Sequence, residues 1–123
     1  MTKTSILNVN TKTIVQPYLS TDIFDIYIFQ QGTNFPIQFL KTCICDIILC
    51  GPGGDGGPNK DKQRYGGGIG SAIIHQTNIK FYGQNYIYKL NVPIGSIPFY
   101  INTSNQKYNS ETSIQGINLN YSI

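Results

Sequence analysis

ICDIILC (44–50) runs directly into GPGGDGGPNKDKQRYGGGIG (51–70). An apolar strand that ends in G-P-G-G-D-G spells the letters of a dinucleotide-binding turn, G-x-G-x-x-G. That turn needs a helix opened by its last glycine, whose N-terminus stabilises the pyrophosphate. Here Gly56 is followed by Gly57, Pro58, Asn59 and then the triple glycine 66–68, and no helix of three turns runs through such a stretch. The turn also needs an acidic residue about 20 positions on, yet none lies between Asp61 and Glu111. A P-loop is excluded because the chain has no Gly-Lys pair. A calcium loop lacks its alternating Asp/Asn ligands and closing Glu.

Without a helix after Cys50, the junction reads as a strand leaving a sheet, and the composition agrees. Ile, Asn, Tyr and Gly are heavily used, Ala occurs only at Ala72, and Trp is absent. Ile, Tyr, Phe and Thr suit a pleated, half-buried surface, whereas the good helix formers are scarce. No window carries a period of 3.6 residues. With 123 residues the chain reads as a single domain over 1–123.

The expected fold is all-β: a small antiparallel β-sandwich, jelly-roll-like, of about eight strands. SILNVN (5–10) alternates, and TIVQPYL (13–19) carries Pro17, so it ends early or lies at an edge. In IFDIYIFQ (23–30), Ile23, Asp25, Tyr27 and Phe29 share one face, and Phe24, Ile26, Ile28 and Gln30 the other. A turn at 31–34 leads to PIQFL (36–40). TCICDIILC (42–50), apolar on both faces, reads as a central strand. SAIIHQTNIKFY (71–82), a turn at 83–85, NYIYKLNV (85–92) and SIPFYIN (96–102) follow. TSIQGINLNYSI (112–123) reads as a last strand with a bulge at Gly116 and with Ile117, Leu119 and Tyr121 on one face. Tyr86, Tyr88 and Tyr121 are assigned outward.

The glycine segment holds nine of the thirteen glycines. Ordering so much glycine costs backbone entropy. It reads either as a solvated loop or as an ordered tip or interface loop where no side chain fits, built on Gly53, Gly54, Gly56, Gly57, Gly66, Gly67 and Gly68; a ligand loop is the third reading.

The run from Leu49-Cys50-Gly51 through Gly53-Gly54 and Gly56-Gly57 to Gly66-Gly67-Gly68 and Gly70, with Tyr86-x-Tyr88-x-Leu90-x-Val92-Pro93-x-Gly95 beyond it, resembles the glycine-rich domains of viral structural proteins. These include phage tail and fibre tips and virion-associated proteins of giant viruses and virophages. The resemblance covers residues 43 to 95 and implies a sheet carrying glycine-rich loops and a chain that trimerises. It implies location in a virion or host cytoplasm, with other virion proteins or host glycans as partners. In this chain Val92-Pro93-Ile94-Gly95 stands where the family has V-G-x-G-G, and Asn59 to Arg64 interrupts the glycines.

Function classes narrow by what is missing. Charged residues make up 12% and the net charge is +3, with one basic cluster at Lys60, Lys62 and Arg64, so no nucleic-acid partner is expected. No stretch approaches the roughly 20 apolar residues that span a bilayer, and MTKTSILNVNTKT has no signal-like apolar run, so synthesis in the cytosol is expected. Cys43 and Cys45 share one strand face and Cys50 takes the other. Their spacing, even with the single His75, is poor for zinc, and they read as buried thiols packing as small apolar residues. No metal and no cofactor is expected. Cys–His or Ser–His catalysis through His75 lacks a nucleophile elbow, Asp22 and Asp25 fall on opposite strand faces, and Asp46 needs a partner if buried. No catalytic residue is assigned and no enzyme is expected.

The expectation is a structural protein that assembles with itself through sheet faces, as a homotrimer by the resemblance or a dimer by general statistics. The alternative is a stand-alone carbohydrate-binding module, with Tyr100, Asn102, Asn105, Gln106 and Tyr108 as its ligand surface.

Overall fold

The structure, a computed structural model, describes residues 3–51, 72–94 and 111–123. The expected strand 96–102, the glycine loop from 52 onward and the candidate ligand surface at 100–108 lie outside the described residues. Among the described residues there is no helix, and the fold is all-β with antiparallel strand pairing, as the composition predicts.

Among the described residues ten strands form in chain order: β1 (Ile6–Asn8), β2 (Thr13–Ile14), β3 (Leu19–Ser20), β4 (Asp25–Ile26), β5 (Asn34–Phe39), β6 (Cys43–Cys50), β7 (Ile73–Phe81), β8 (Ile87–Asn91), β9 (Ser113–Gly116) and β10 (Leu119–Ser122). A six-stranded sheet runs β10-β9-β8-β5-β1-β2, and β3-β4 and β6-β7 form two separate hairpins. β2 is short and lies at the sheet edge, as Pro17 requires.

One face of the large sheet is set by alternation. Ile6, Ile37, Tyr88, Leu90 and Ile114 point inward, with Phe39 beside them, and all are buried. The β6–β7 hairpin lies over this face, contributing Cys43, Leu49 and Phe81 to the same core. Phe81 fits between two rings of the sheet, 4.6 Å from Phe39 and 4.9 Å from Tyr88 between centroids. Full burial of an Ile or Phe side chain contributes about 1.5–3 kcal/mol, and Ile37 and Phe81 have almost no exposed surface.

The chain crosses between the layers twice at the same place. It leaves β5 through Leu40–Thr42 and returns through Tyr82–Tyr86. Gln84 N–H donates to Phe39 O at 2.7 Å and Gly83 N–H to Thr42 Oγ1 at 3.1 Å. A Cβ on Gly83 would strike the backbone of Lys41, so only glycine permits this approach.

Several sequence expectations are corrected. β6 is not a central strand: it pairs with β7 alone among the described residues. Its odd residues face the core, and Asp46, Ile48 and Cys50 face out, so its apolar runs on both sides mark one buried and one exposed face. The stretch 112–123 is a hairpin, β9–β10, turning at Ile117–Asn118, and Gly116 is in regular register with Leu119 rather than in a bulge. Ile117 is exposed at the turn. Tyr88 is fully buried and Tyr121 packs against the core, whereas Tyr86 is exposed as expected. In 23–30 only Asp25–Ile26 joins a ladder, but the alternation holds beyond it, with Asp25, Tyr27 and Phe29 half-buried and Phe24, Ile26 and Ile28 exposed.

β6 and β7 are antiparallel, with Cys50 opposite Ile73 and Gly51 N–H bonded to Ala72 O at 3.0 Å. Residues 52–71 therefore join adjacent ends of one hairpin. The G-x-G-x-x-G letters sit in that connection, not at a crossover between parallel strands.

Candidate functional site

The β3–β4 hairpin builds the first candidate surface. Thr21 Oγ1 accepts the Phe24 N–H at 3.1 Å and tightens the turn. Leu19 and Ile26 are register partners and so share a face, and Phe24 and Ile28 extend it by alternation. All four are exposed, as are Tyr18 and Ile23 at 74% and 75%. Six large apolar side chains thus meet solvent within eleven residues of sequence. On the opposite face Asp25 is held in place: Lys3 Nζ pairs with it at 3.0 Å, and Ser20 Oγ donates to the same carboxylate. Ser20 first, and Lys3 next, hold the Asp25 carboxyl below its ordinary range.

The outward face of the six-stranded sheet is different in kind. Register places Gln38 beside Ile87, Pro36 and Gln115 either side of Lys89, and Asn34 and Ser113 either side of Asn91. It is an amide-rich face, and Lys89 is its charge among these residues.

An aromatic corner lies where the chain re-enters the sheet. Tyr82 and Tyr86 have centroids 5.4 Å apart, and Lys80 Nζ is 5.2 Å from the Tyr82 centroid. Gln84, held at φ 66°, and Asn85 lie between the two tyrosines in the chain and are exposed.

The cysteines divide as their spacing predicts. Cys43 and Cys45 face inward with Sγ atoms 3.5 Å apart, and Cys50 faces out. Cys50 is exposed, which corrects the expectation that all three pack as buried thiols. The shared S–H···S contact lowers the Cys43 thiol's pKa and raises that of Cys45, with burial adding to the rise. Tyr27 lies near both, its phenol pushed up chiefly by burial.

His75 is exposed on the outward face of β7, opposite Ile48, and so stands away from Cys43 and Cys45. Asp46 is exposed, and its partner is the backbone N–H of Asn78 at 3.0 Å. Asp22 is exposed in the β3–β4 turn. Among the described residues no three His, Cys, Asp or Glu side chains gather closely enough to hold a metal, and no helix is long and apolar enough to cross a membrane. The candidate ligand residues Tyr100, Asn102, Asn105, Gln106 and Tyr108, and the seven interface glycines, lie outside the described residues.

Alternation separates the two faces of 23–30 without identifying which is exposed. Asp25 carries the signal, since its salt bridge turns its own face toward Lys3 and leaves the face of Phe24, Ile26, Ile28 and Gln30 open. Comparison with protein-family models, curated proteins and solved structures gave no match to this chain.

Proposed function

We propose that the chain is a non-enzymatic structural protein that assembles with copies of itself through its sheet faces. The observation that supports this is the exposed apolar surface of Leu19, Phe24, Ile26 and Ile28 with Tyr18 and Ile23. Concentrated apolar surface of this kind marks protein contact sites, because leaving it in water costs free energy that a partner face recovers. The glycine-rich resemblance adds the setting: a virion-associated protein with a small jelly-roll-type sandwich, part of a fibre or attachment surface, present in the virion or host cytoplasm. By the same resemblance the assembly is a homotrimer.

Sedimentation equilibrium at micromolar concentration tests the reading. The expected mass is about three times the 13.7 kDa chain, and Ile26→Lys disperses the assembly. A wild-type monomer at tens of micromolar overturns it.

The Tyr82–Tyr86 corner favours a second reading, a carbohydrate-binding module acting alone. Two Tyr faces beside Gln84 and Asn85 offer the stacking and amide hydrogen bonds that sugars use. Specific glycan-array binding by a monomer that Tyr86→Ala abolishes would establish it in place of the first.

A further inference from the structure

Cys43 and Cys45 are two positions apart on the inward side of β6, and their sulfurs are in contact at 3.5 Å. The ladder pins both: Cys43 is opposite Phe81 and Cys45 opposite Ile79. Cys43 is buried, and Cys45 is half-buried at the margin of the core. We propose that this pair is a chelating site for a soft monovalent cation of the copper(I) class, bound as a bis-thiolate.

Spacing supports a bridge by a metal rather than a disulfide. Two sulfurs bonded to one ion at about 2.3 Å lie about 3.8 Å apart at a tetrahedral angle and about 4.6 Å apart when digonal. The observed 3.5 Å reaches that range by small rotations about the two Cα–Cβ bonds. A disulfide must instead bring the sulfurs to about 2.05 Å with Cα atoms no more than about 6.8 Å apart. Two strand residues rise about 6.6–6.8 Å, at the outer limit, and the β6–β7 ladder resists the backbone shift that would relieve it.

The donor set selects the metal. Two sulfurs with no third His, Cys, Asp or Glu among the described residues do not complete a structural zinc site. Hard cations require oxygen ligands, and the carboxylate next in sequence, Asp46, is exposed and accepts the Asn78 N–H. Thiolates favour copper(I). Binding exchanges two thiol protons for one ion, with no change in oxidation state, and the partly exposed Cys45 gives the route of entry.

The test is an anaerobic titration of the full chain with copper(I) against a chromophoric copper(I) chelator. Wild type and Cys50→Ser are expected to withdraw one equivalent, and Cys43→Ser and Cys45→Ser each to lose at least tenfold in affinity. A measurement on the wild type alone accompanies it: compared with the copper-free chain, copper(I) should lower iodoacetamide labelling of Cys45, read by peptide mass, and leave that of Cys50 unchanged. No withdrawal of copper by wild type, unchanged affinity in Cys45→Ser, or Cys45 labelling that copper(I) leaves unchanged overturns the proposal. So does a rapid loss of two hydrogens from the 43–45 peptide in air, which would make the pair a disulfide former.

Discussion

Gly116, at the end of β9, lies flat against the ring of Tyr88, and a Cβ at Gly116 would collide with Cδ1 and Cε1 of that ring. The ring cannot retreat: Tyr88 is fully buried, with Phe81 and Phe39 packed edge-on at 4.9 and 5.8 Å. Gly116→Ala should therefore destabilise the fold by about 1–3 kcal/mol, the cost of overpacking a closed core. Urea unfolding would show a lower midpoint with an unchanged slope. A neutral alanine would mean that Tyr88 has a second position open to it.

The hydroxyl of Tyr88 joins three segments. It accepts the Tyr82 N–H at 2.8 Å and donates to Asn118 Oδ1 at 2.8 Å, while Asn118 Nδ2 donates to Lys80 O at 2.7 Å. Tyr88→Phe keeps the packing and removes both bonds of the hydroxyl. The expected loss is about 1–3 kcal/mol, because the half-buried Tyr82 N–H is left without this acceptor. Burial, above other causes, raises the pKa of Tyr88. The folded state thus holds the phenolic proton more tightly, so this stability is present below about pH 10 and falls as pH rises further. Denaturation at pH 8 and pH 11 should show that the alkaline loss is smaller in Tyr88→Phe.

The same residue shows how far the sequence could be read. In NYIYKLNV the alternation is plain, but alternation alone does not say which face is buried, and Tyr88 reads as outward. Lys89 carried the better signal: it stands on the solvent face between Pro36 and Gln115 and so turns Tyr88 and Leu90 inward. A tyrosine accepts full burial when its hydroxyl finds partners, and those partners come from Tyr82 and Asn118, which local pattern does not bring together. β6 departs from its expected central place for a related reason. Ile48 gives its outer face an apolar look, and exposure of such a face is a property of the assembly rather than of the strand. Gly116 was legible as exceptional, but its cause is a ring across the sheet, not a bulge within its own strand. For the candidate sites, the i, i+2 spacing of Cys43 and Cys45 predicted a shared face. The apolar surface at 18–28 needed the Lys3–Asp25 contact, a pairing across 22 positions of sequence, to show which face is open.

The β6–β7 ladder contains a correction built from two residues. Cys45 is opposite Ile79 and Ile47 opposite Gln76, so β7 carries the extra residue. Asn78 takes it up at φ 56°, and Asp46 Oδ1 caps its N–H at 3.0 Å. Asn tolerates this left-handed conformation, and β-branched residues do not. Asn78→Gly should be nearly neutral, Asn78→Val should cost about 1–2 kcal/mol, and Asp46→Ala about 1 kcal/mol. Thermal unfolding of the three variants checks the order. If valine equals glycine, the bulge has another way to relax.

Asp25 makes the fold sensitive to acid. Ser20 and then Lys3 stabilise its ionised form and lower its pKa. In the unfolded chain the same carboxyl titrates near pH 3.9. The folded state thus binds this proton less readily, so the contribution is fully present above about pH 4–5, and it is lost as pH falls through the lower folded value. Asp25→Asn cannot ionise, so it should be less stable than wild type at pH 7 and should lose less on acidification in that window. Melting temperatures of the two proteins from pH 7 to pH 2.5 test this. Convergence of the curves at low pH is the expected result. Parallel curves would show that the Lys3–Asp25–Ser20 contacts leave the stability of the β3–β4 hairpin, and of the apolar face it presents, independent of the charge.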